Sequence, residues 1–490
     1  RVVAEVISEN AIGTVENYAE YLRNPANWTN EGDKHTAKIV YSVDADYKFN
    51  ISCTDKAGNT NNSVDYGDAI APDEFTIDHV DPKKLEISYR QSVFDLVLET
   101  ITFGFFRSEL EVTIKAADDT SGISYFTYSI DDGKTYTTIP TSNIRADENG
   151  NSYALFTIKP QHKGKITFKA FDCAGNFAET SDNKTVVVDS IKPVISVKYD
   201  NNTSDENNKS FYNKARTATI TLTDSNFFTE AFDNKHLVIT VIRTDDSGKK
   251  ISSVLKNTDL TVPFKNGSGD KHTAKLDFVE DGDYTFTIDY TDFSGNKSDR
   301  YSTSFTIDKT TPTIAVSYDN NSAKNGKYFN ADRTATITVN ERNFDASRVT
   351  AKVTSKNATG TLGDYAAYLK NPKSWTTNGN KHTAIIKFSA EADYTFGISY
   401  YDKAGNKNSA VNYGKSVAPE SFTIDKTAPT NADIKINNES VRATKGVAFE
   451  KFYRNSVTVK YSVNCDISGL DNITYQKVDD IAGYSADGKW

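Results

Sequence analysis

DYTFGISYYDKAGN (Asp393–Asn406) contains the pattern from which the fold class follows. Apolar and polar residues alternate from Asp393 to Tyr400, which is the period of a half-buried β-strand. The Asp-Lys-Ala-Gly-Asn that follows suits a tight turn, because Gly accepts a positive φ and Asp and Asn bond their own backbone. The segment is therefore predicted to be a strand that leads into a hairpin.

The same alternation of apolar and polar residues marks five further segments around this hairpin. They are TIAVSYD (Thr313–Asp319), RTATITVNE (Arg333–Glu341), RVTAKVTS (Arg348–Ser355), HTAIIKFS (His382–Ser389) and SFTIDK (Ser421–Lys426). Short strands separated by Asn, Gly and Asp turns are typical of an all-β sandwich. No alternation of helices with strands points to a nucleotide-binding α/β fold.

The hairpin turn recurs and divides the chain into modules. Asp-x-(Ala/Ser)-Gly-Asn occurs four times, and each copy is followed by an Asp four residues before a Pro. The pairs are Asp55–Asn59 with Asp78 and Pro82, Asp172–Asn176 with Asp189 and Pro193, Asp292–Asn296 with Asp308 and Pro312, and Asp402–Asn406 with Asp425 and Pro429. Pro cannot donate to a β-ladder, so it separates one module from the next. Whole modules are predicted at 79–189, 190–308 and 309–425, with parts of modules at 1–78 and 426–490, and this spacing is a usual domain size.

A longer period of 347 residues relates the two ends of the chain. Thr14–Pro82 lies over Thr361–Pro429 without a gap, and DYKFNISCTDKAGN (Asp46–Asn59) reads again as Asp393–Asn406. Repeats at fixed period indicate an array of similar modules. Because residues 1–78 match the second half of module 309–425, we expect the chain to be a fragment of a longer protein.

Composition excludes several classes of function. The net charge of -9 and the pI of about 5.4 argue against binding to nucleic acid or to an anionic membrane surface. No apolar run approaches the roughly 20 residues that a membrane-spanning helix needs. The 27 Tyr and 27 Phe residues fall in strand-like patterns, which argues against disorder.

Three cysteines are spread over three modules, at Cys53, Cys173 and Cys465. A structural disulfide would be expected to recur with its module, but the repeat places Tyr400 opposite Cys53 and Asp118 opposite Cys465. Three free thiols are therefore predicted. Either an oxidising or a reducing compartment is compatible with so few cysteines.

Two elements depart from a plain sandwich. LGDYAAYLKNPKSW (Leu362–Trp375), repeated at Val15–Trp28, has helical spacing and then a Pro that ends the helix. SVFDLVLETITFGFF (Ser92–Phe106) also has helical spacing, which predicts a short amphipathic helix. Its apolar stripe, Phe94–Ile101, is interpreted as a wedge between modules rather than as a binding face.

Aromatic residues around the repeated helix are candidate ligand-binding residues, because rigid aromatic side chains are preferred binding anchors. Two interpretations stay open: these residues bind a partner, or they cap the open end of the sandwich core. The capping interpretation is favoured. The candidates are Tyr18, Tyr21, Leu22, Trp28, Tyr365, Tyr368, Leu369 and Trp375.

The histidines give no catalytic signature. His35, His272 and His382 recur in Lys-His-Thr-Ala, at the start of a predicted strand, and a packing role is favoured there. No His stands at metal-binding spacing with Cys or Glu. No Gly-x-Ser-x-Gly or phosphate-binding loop occurs either, so the chain is predicted not to be an enzyme and to need no cofactor.

Aspartates at the turns are the only candidate metal ligands. In a sandwich the last hairpin lies at the end where the chain enters, so the turn Asp402–Asn406 should lie near the linker Asp308–Pro312. Asp308 could then meet Asp402 at one junction, and Asp425 could meet Asp466 at the next. Ca²⁺ would suit such carboxylates, but no Asp-x-Asp-x-Asp loop is present, so turn and capping roles are favoured.

The combined motifs resemble bacterial immunoglobulin-like (Ig-like) modules. They are the Asp-x-Ala-Gly-Asn turn, the closing Phe-Thr-Ile-Asp-Lys-x-x-Pro (Phe305–Pro312 and Phe422–Pro429) and Asp-x-Ser-Gly-Ile (Asp119–Ile123). Such modules stand in tandem in large surface proteins of Gram-positive bacteria, especially gut anaerobes. The resemblance covers essentially the whole chain. It implies an elongated rod of Ig-like β-sandwiches with short helical insertions, located outside the cell, at its surface or wall.

The resemblance leaves the function open between two classes. One is a non-enzymatic binding protein, adhesin-like and directed at a host extracellular protein. Its sharpest version binds immunoglobulin in the manner of a superantigen. The other is a passive stalk that presents a distal domain. As a binding protein, the chain is expected to be a monomeric, multivalent rod that contacts neither nucleic acid nor the membrane interior.

Overall fold

The computed structural model describes residues 1–61, 63–90, 103–202, 210–436, 456–472 and 474. This described part is all-β, with 35 strands, two α-helices and six short 3₁₀ helices. The buried apolar residues fall into four clusters along the chain, so the described part is a series of sandwiches and the predicted fold class is confirmed.

Residues 1–78 form two small sheets. The elements are β1 (Val2–Ile12), α1 (Tyr18–Arg23), β2 (Trp28–Glu31), β3 (Lys34–Ala37), β4 (Asp44–Cys53) and β5 (Glu74–Ile77). The first sheet has the order β1-β4-β5, and β2 pairs with β3 in the second.

Residues 79–189 form three sheets around one core. The strands are β6 (Lys83–Tyr89), β7 (Phe103–Phe106), β8 (Leu110–Ala117), β9 (Ile123–Ser129), β10 (Thr137–Ile139), β11 (Arg145–Ala146), β12 (Ser152–Ile158), β13 (His162–Gly164), β14 (Thr167–Asp172), β15 (Phe177–Ser181) and β16 (Thr185–Val188). The sheets are β11-β12-β8-β6, β10-β9-β14-β15 and β13-β16-β7. In the last sheet, β7 runs parallel to β16.

Residues 190–308 form two sheets that enclose a second core. The strands are β17 (Val194–Tyr199), β18 (Phe211–Tyr212), β19 (Arg216–Thr223), β20 (Leu237–Thr244), β21 (Lys250–Leu255), β22 (Lys271–Phe278), β23 (Gly282–Tyr290) and β24 (Tyr301–Ile307). The sheets are β17-β19-β22 and β18-β24-β23-β20-β21. This is the arrangement of an Ig-like sandwich, with a short first-strand segment, β18, parallel to the last strand.

Residues 309–425 repeat that design and add a helix. The elements are β25 (Thr313–Tyr318), β26 (Tyr328–Phe329), β27 (Arg333–Asn340), β28 (Val349–Thr359), α2 (Tyr365–Lys370), β29 (Trp375–Asn378), β30 (Lys381–Phe388), β31 (Glu391–Tyr400), β32 (Val411–Asn412) and β33 (Ser421–Ile424). The sheets are β29-β30-β27-β25-β32 and β26-β33-β31-β28. All six strands predicted here are confirmed.

The last described residues hold one strand pair, and 3₁₀ turns stand between the strands elsewhere. The pair is β34 (Thr430–Ile436) with β35 (Val459–Asn464). The 3₁₀ helices are Pro25–Asn27, Thr141–Asn143, Thr229–Ala231, Asn257–Asp259, Ala346–Arg348 and Pro372–Ser374.

The strands follow from the alternation of side chains. In β27, Ala335, Ile337 and Val339 are buried in the core, whereas the threonines between them are only half-buried. Threonine suits this outer face because β-branched side chains favour the extended backbone. The hairpin after β31 has Gly405 at φ +90, a conformation that a side chain would strain. The predicted tight turn is thus confirmed.

The segment Ser92–Phe106 only partly lies within the described residues. Its end, Phe103–Phe106, is a β-strand and not the helix that the spacing predicts. The reason is that β7 pairs along β16, a partner about 80 residues away in the chain. The rest of the predicted helix, including the stripe Phe94–Ile101, lies outside the described residues.

Candidate functional site

The helix α2 covers the core of residues 309–425. It begins at Tyr365 because the side chain of Asp364 accepts the N–H of Ala367 at 2.9 Å. Leu369 is fully buried, and the indole Nε1 of Trp375 donates to the main-chain oxygen of Leu369 at 2.8 Å. Leu369 and Trp375 therefore belong to the core.

The helix α1 repeats this arrangement in residues 1–78. Tyr18 and Leu22 are buried, and Nε1 of Trp28 donates to the main-chain oxygen of Leu22 at 2.8 Å. The ring of Tyr18 lies 6.3 Å from that of Tyr47, edge to face. The helix therefore packs on the sheet rather than standing free of it.

Only two of the eight candidate binding residues are exposed. Tyr21 has 38% of its surface accessible and Tyr368 has 43%. Tyr365 is half-buried, and its hydroxyl donates to the main-chain oxygen of Lys387 at 3.0 Å. Tyr21 and Tyr368 occupy the same place in the 347-residue repeat, so the array carries two copies of one exposed tyrosine.

The recurring histidines make structural contacts. Nε2 of His272 lies 3.0 Å from the main-chain oxygen of Asp224, and Nε2 of His382 lies 2.8 Å from that of Glu341. Both rings are buried at the start of a strand, as predicted. His35 is exposed instead.

Each linker aspartate at a predicted module boundary is held by the module that follows it. The contact is made by the loop after β8, β19, β27 or β35. It joins Asp78 Oδ2 to Ser121 N at 3.1 Å, Asp189 Oδ2 to Asn226 Nδ2 at 2.8 Å, Asp308 Oδ2 to Asn343 Nδ2 at 2.8 Å and Asp425 Oδ2 to Ser468 N at 2.9 Å. The residue that ends one sandwich therefore orients the next.

The asparagine of the hairpin turn completes this junction. Its side-chain Nδ2 donates to the main-chain oxygen of the linker aspartate in three modules. The contacts are Asn176 to Asp78 at 3.1 Å, Asn296 to Asp189 at 2.7 Å and Asn406 to Asp308 at 2.7 Å. The prediction that the turn Asp402–Asn406 lies near the linker Asp308–Pro312 is thus confirmed.

Three acidic side chains meet at two of these junctions. Asp308, Glu341 and Asp402 each bring one oxygen to within 4.8 Å of the others, and all three residues are buried. Burial raises the pKa of Glu341 to about 8 and also raises the pKa of Asp308 and of Asp402. The second such group is Asp78, Asp118 and Asp172.

The carboxylate groups fit a calcium site only in part. Ca²⁺ takes about six to eight oxygen ligands, whereas each group offers three side-chain oxygens within 4.8 Å. Asp308 and Asp402 already accept hydrogen bonds from Asn343 and Asn406. These are the turn and capping roles that the sequence favours. Calcium at the junctions stays a prediction, which thermal unfolding in excess Ca²⁺ and in a chelator would test.

The junction at Asp425 differs in its acidic residues. Asp425 contacts Ser468, and within the described residues Asp466 belongs to no group of three acids. Cys465 stands where the repeat has Asp118. All three cysteines are free, as predicted, with Cys53 and Cys173 exposed.

Glu341 is one of the junction residues that the sequence patterns did not predict. It is the last residue of the alternating strand RTATITVNE, and a charged residue at a strand end is usually exposed to solvent. A signal was present, because the string acid-x-Asn-Phe occurs after equivalent strands, at Asp224–Phe227 and Glu341–Phe344. Its Asn is the residue that binds the linker aspartate.

The stability of residues 190–308, next to the junction at Asp189, is predicted to depend on pH. Burial, with the charges of Asp224 and Asp189, raises the pKa of Asp292 to about 7. In the unfolded state Asp292 releases its proton above pH ~4, whereas in the folded state it keeps the proton until about pH 7. This contribution to stability is therefore fully present at low pH, falls as the pH rises and is lost once the pH has passed 7. From pH 5 to 8 the free energy of unfolding of 190–308 is expected to fall by roughly 3 kcal/mol.

Peptide-resolved hydrogen exchange at pH 5 to 8, scaled for intrinsic exchange rates, checks this expectation. Asp292→Asn should flatten the dependence. Asp55→Asn is the matched control, because hydrogen bonds from Asn59 lower the pKa of exposed Asp55. Its titration lies below the tested range, so that variant should behave like the wild type. An Asp292→Asn protein with an unchanged pH profile would contradict the assignment.

The junctions at Asp189 and at Asp308 are built differently. Phe105 and Val187, from strands β7 and β16, are buried within the core of the following module, where the ring of Phe105 lies 5.3 Å from that of Phe293. At the next junction the contact is ionic, since Arg342 reaches Asp246 at 3.2 Å and Asp283 at 3.6 Å. One junction is therefore a shared apolar core, and the other is a polar interface.

Residues 24–66 and 345–417 match the family model described as bacterial Ig-like domain. The first stretch lies within one of the regions related by the 347-residue repeat, and the second overlaps the other region. Together with the sandwich topology, this match shows tandem Ig-like domains. Among curated proteins, none matches the sequence.

Several solved structures are similar to parts of the chain. Latent PorU from Porphyromonas gingivalis is 12% identical over 66% of this chain, which spans only 32% of PorU, with a TM-score of 0.18. The fibronectin(III)-like modules of CbhA from Clostridium thermocellum are 14% identical over 45% of this chain and 94% of theirs, with a TM-score of 0.19. A bacterial ice-binding adhesin is 12% identical over 63% of this chain and 92% of its own, with a TM-score of 0.21. Scores this low carry no argument about function.

Neither α-helix in the described residues has the length and apolarity needed to cross a bilayer.

Proposed function

We propose that these tandem Ig-like domains form a non-enzymatic bacterial surface protein that binds a host extracellular protein at repeated sites. The observation that carries the proposal is the pair Tyr21 and Tyr368. They are the two of the eight candidate binding residues that stay exposed, at the same place in the two repeated helices. Tyrosine is a preferred binding anchor, because its rigid ring contributes contact area at little entropic cost. Two copies on one chain gain affinity through avidity.

Edge strands offer a second route for a partner to bind. β28 lies at the edge of its sheet, and β1 takes the same place in residues 1–78. An extended segment of a partner could pair with such an edge by β-augmentation. Lys352 and Lys356 are exposed along β28, however, and lysines on an edge discourage pairing. The tyrosine route is therefore the better supported of the two.

Immunoglobulin is the sharpest candidate partner. It rests on the resemblance to surface proteins of Gram-positive gut bacteria, as does the location at the cell surface or wall. The acidic, tandem Ig-like architecture is compatible with that location. It also supports a monomeric rod that presents several sites at once.

A passive stalk is the second candidate function, and the junctions favour it. Each linker aspartate is fixed by the module that follows it, and one junction shares an apolar core. Such contacts restrict bending between modules, which a spacer that presents a distal domain requires. A stalk needs no exposed tyrosines at repeated places, and that difference separates the two candidates experimentally.

A pull-down distinguishes binding from spacing. The full chain and a Tyr21→Ala/Tyr368→Ala variant are immobilised and exposed to human serum and mucosal secretions. We expect the wild type to retain immunoglobulin and the double variant to retain at least about tenfold less, because two anchors and their avidity are lost. Tyr401→Ala is the matched control, since Tyr401 is 42% exposed but does not recur in the repeat.

Each alternative result has a defined meaning. If neither bait retains a host protein, the stalk becomes the better proposal. If the double variant retains as much immunoglobulin as the wild type, the chain is a binding protein whose site lies away from the two tyrosines. An isolated 309–425 bait then shows whether one complete sandwich is enough.

A further inference from the structure

Two edge strands carry opposite charges at equivalent positions of the chain. β1 lies at the edge of the sheet β1-β4-β5, and β28 lies at the edge of β26-β33-β31-β28. The offset of 347 residues continues into them, since VVAEVISENAI in β1 stands over VTAKVTSKNAT in β28. Glu5 and Glu9 therefore correspond to Lys352 and Lys356. The strand is kept between the two places, and the sign of its charge is inverted.

The charged side chains lie on the solvent face of their strands. Successive side chains of a strand point to opposite faces, so residues four positions apart share a face. Ala4 in β1 and Val349 in β28 are buried, whereas all four charged residues are exposed. No ion pair within the described residues engages any of these four. The charges are therefore available to a partner.

Both edges have the regular backbone that a further strand requires. β1 pairs residue for residue with β4 from Val2 to Glu9, and β28 pairs in the same way with β31 from Val349 to Lys356. The irregularity in each strand comes only after the second charged residue. An edge strand with a regular ladder presents a row of N–H and C=O groups to which another strand can bind.

Antiparallel pairing of β1 with β28 of a second copy matches both charges at once. Glu5 then lies opposite Lys356, and Glu9 lies opposite Lys352, because both pairs are four residues apart. Directly opposite side chains have Cβ atoms about 4.5–5.5 Å apart, which suits an ion pair. These residues also share one phase along their strands, so the main-chain groups of opposite residues alternate together, as an antiparallel ladder requires.

Each edge is repelled by its own kind. Antiparallel pairing of β1 with another β1 would place Glu5 opposite Glu9, and pairing of β28 with another β28 would place Lys352 opposite Lys356. Like charges directly opposite each other are destabilising. The lysines that discourage pairing at β28 thus discriminate between partners, and an acidic edge such as β1 is the one that they favour.

We propose that two copies of this chain associate edge to edge, with β1 of one copy paired to β28 of the other in a continuous sheet. A second copy is favoured over a strand of another protein because this chain carries both halves of the charge match. One edge contact is smaller than a stable interface, so the dilute chain stays monomeric and copies associate where they are concentrated. This inference is independent of host-protein binding.

Sedimentation equilibrium of the full chain tests the proposal, at low ionic strength and at concentrations up to about 1 mM. We expect the average mass of the wild type to rise above the monomer mass with concentration, and to fall back in about 0.5 M salt. Glu5→Lys/Glu9→Lys and Lys352→Glu/Lys356→Glu should each associate at least about tenfold more weakly, because two attractions become two repulsions.

Mixing the two reversed variants is the decisive step. The first variant has lysines on both edges and the second has glutamates on both, so neither matches itself but each matches the other. An equimolar mixture should therefore associate, although the separate variants do not. Hydrogen exchange in the concentrated mixture should show added protection in β1 and β28, which distinguishes strand pairing from general attraction between opposite charges.

Glu31→Lys/Asp33→Lys is the matched control. It changes the net charge as much as the β1 reversal does, on the exposed turn between β2 and β3, and should associate like the wild type. The proposal is overturned if the wild type stays monomeric at every concentration, if either reversed variant associates as tightly as the wild type, or if the mixture of the two does not associate.

Discussion

Arg333→Ala is expected to lower the free energy of unfolding of residues 309–425 by about 4 kcal/mol, the largest effect of any single substitution proposed for this chain. Arg333 is the largest fully buried side chain among the residues that the structure describes. Its guanidinium donates to the main-chain oxygens of Asn320 at 3.1 Å and Ala418 at 3.0 Å, and also to that of Val417. Removing the donors leaves these acceptors unpaired inside the protein, which adds to the loss.

Aromatic rings account for the rest of the expected effect. The guanidinium carbon of Arg333 lies 3.8 Å from the ring centre of Tyr318, 4.3 Å from that of Phe329 and 4.6 Å from that of Phe422. A cation held over aromatic faces is stabilised by their quadrupoles. Alanine would forfeit this attraction and leave a cavity among the rings.

Peptide-resolved hydrogen exchange of the full chain measures the effect on this module alone. Lys352→Ala, at an exposed position on β28, is the matched control and should change stability by less than about 0.5 kcal/mol. Arg333→Lys keeps the charge but lacks the planar fork, so it should recover only a minor part of the loss. A loss below about 1 kcal/mol for Arg333→Ala would show that the guanidinium is dispensable.

Phe105→Ala is expected to lower the free energy of unfolding of residues 190–308 by about 3–4 kcal/mol, although Phe105 lies in the preceding module. The alternation along β7 points Phe106 into the core of 79–189 and Phe105 into the core of 190–308, where it is fully buried. Val187 does the same from the neighbouring strand. A cavity at Phe105 therefore weakens the junction and the next core together.

Phe211→Ala is the matched control for this prediction. Phe211 occupies the equivalent place at the following junction, but it is only half-buried and lies under the ammonium of Lys403. Phe211→Ala should lower the free energy of unfolding by less than about 1.5 kcal/mol. Hydrogen exchange resolved to 79–189 and 190–308 separates the two effects. If Phe105→Ala and Phe211→Ala lowered the free energy of unfolding equally, the shared core at the Asp189 junction would be contradicted.

Local patterns made most of the fold predictable. The strands in 309–425 and the two short helices follow from side-chain periods of about two and 3.6 residues. Pro372 and the capping Asp364 set the limits of α2 from neighbouring residues alone. The approach of the turn Asp402–Asn406 to the linker at Asp308 was predictable as well, because chain topology fixes which ends of a sandwich meet.

Residues whose role depends on distant partners were not predictable in this way. Phe103–Phe106 ends the segment Ser92–Phe106, in which a short helix was predicted, but it forms a strand because β16 offers it a ladder. Glu341 resembles a solvated strand end, but it lies buried beside Asp308 and Asp402. The preference of a short segment for helix, strand or solvent exposure is weak, and tertiary contacts override it at both places.

Residues within a few positions of each other specify that the chain is a series of all-β modules. Each module is closed by an Asp-x-x-Gly-Asn hairpin and an Asp–Pro linker. The burial of Arg333 depends instead on distant contacts, since its hydrogen bond to Val417 spans 84 residues. Distant contacts also place Phe105 in the core of the next module and Lys163 beside Asn226. Burial and proximity are properties of the packed sheets, so no local pattern carries them.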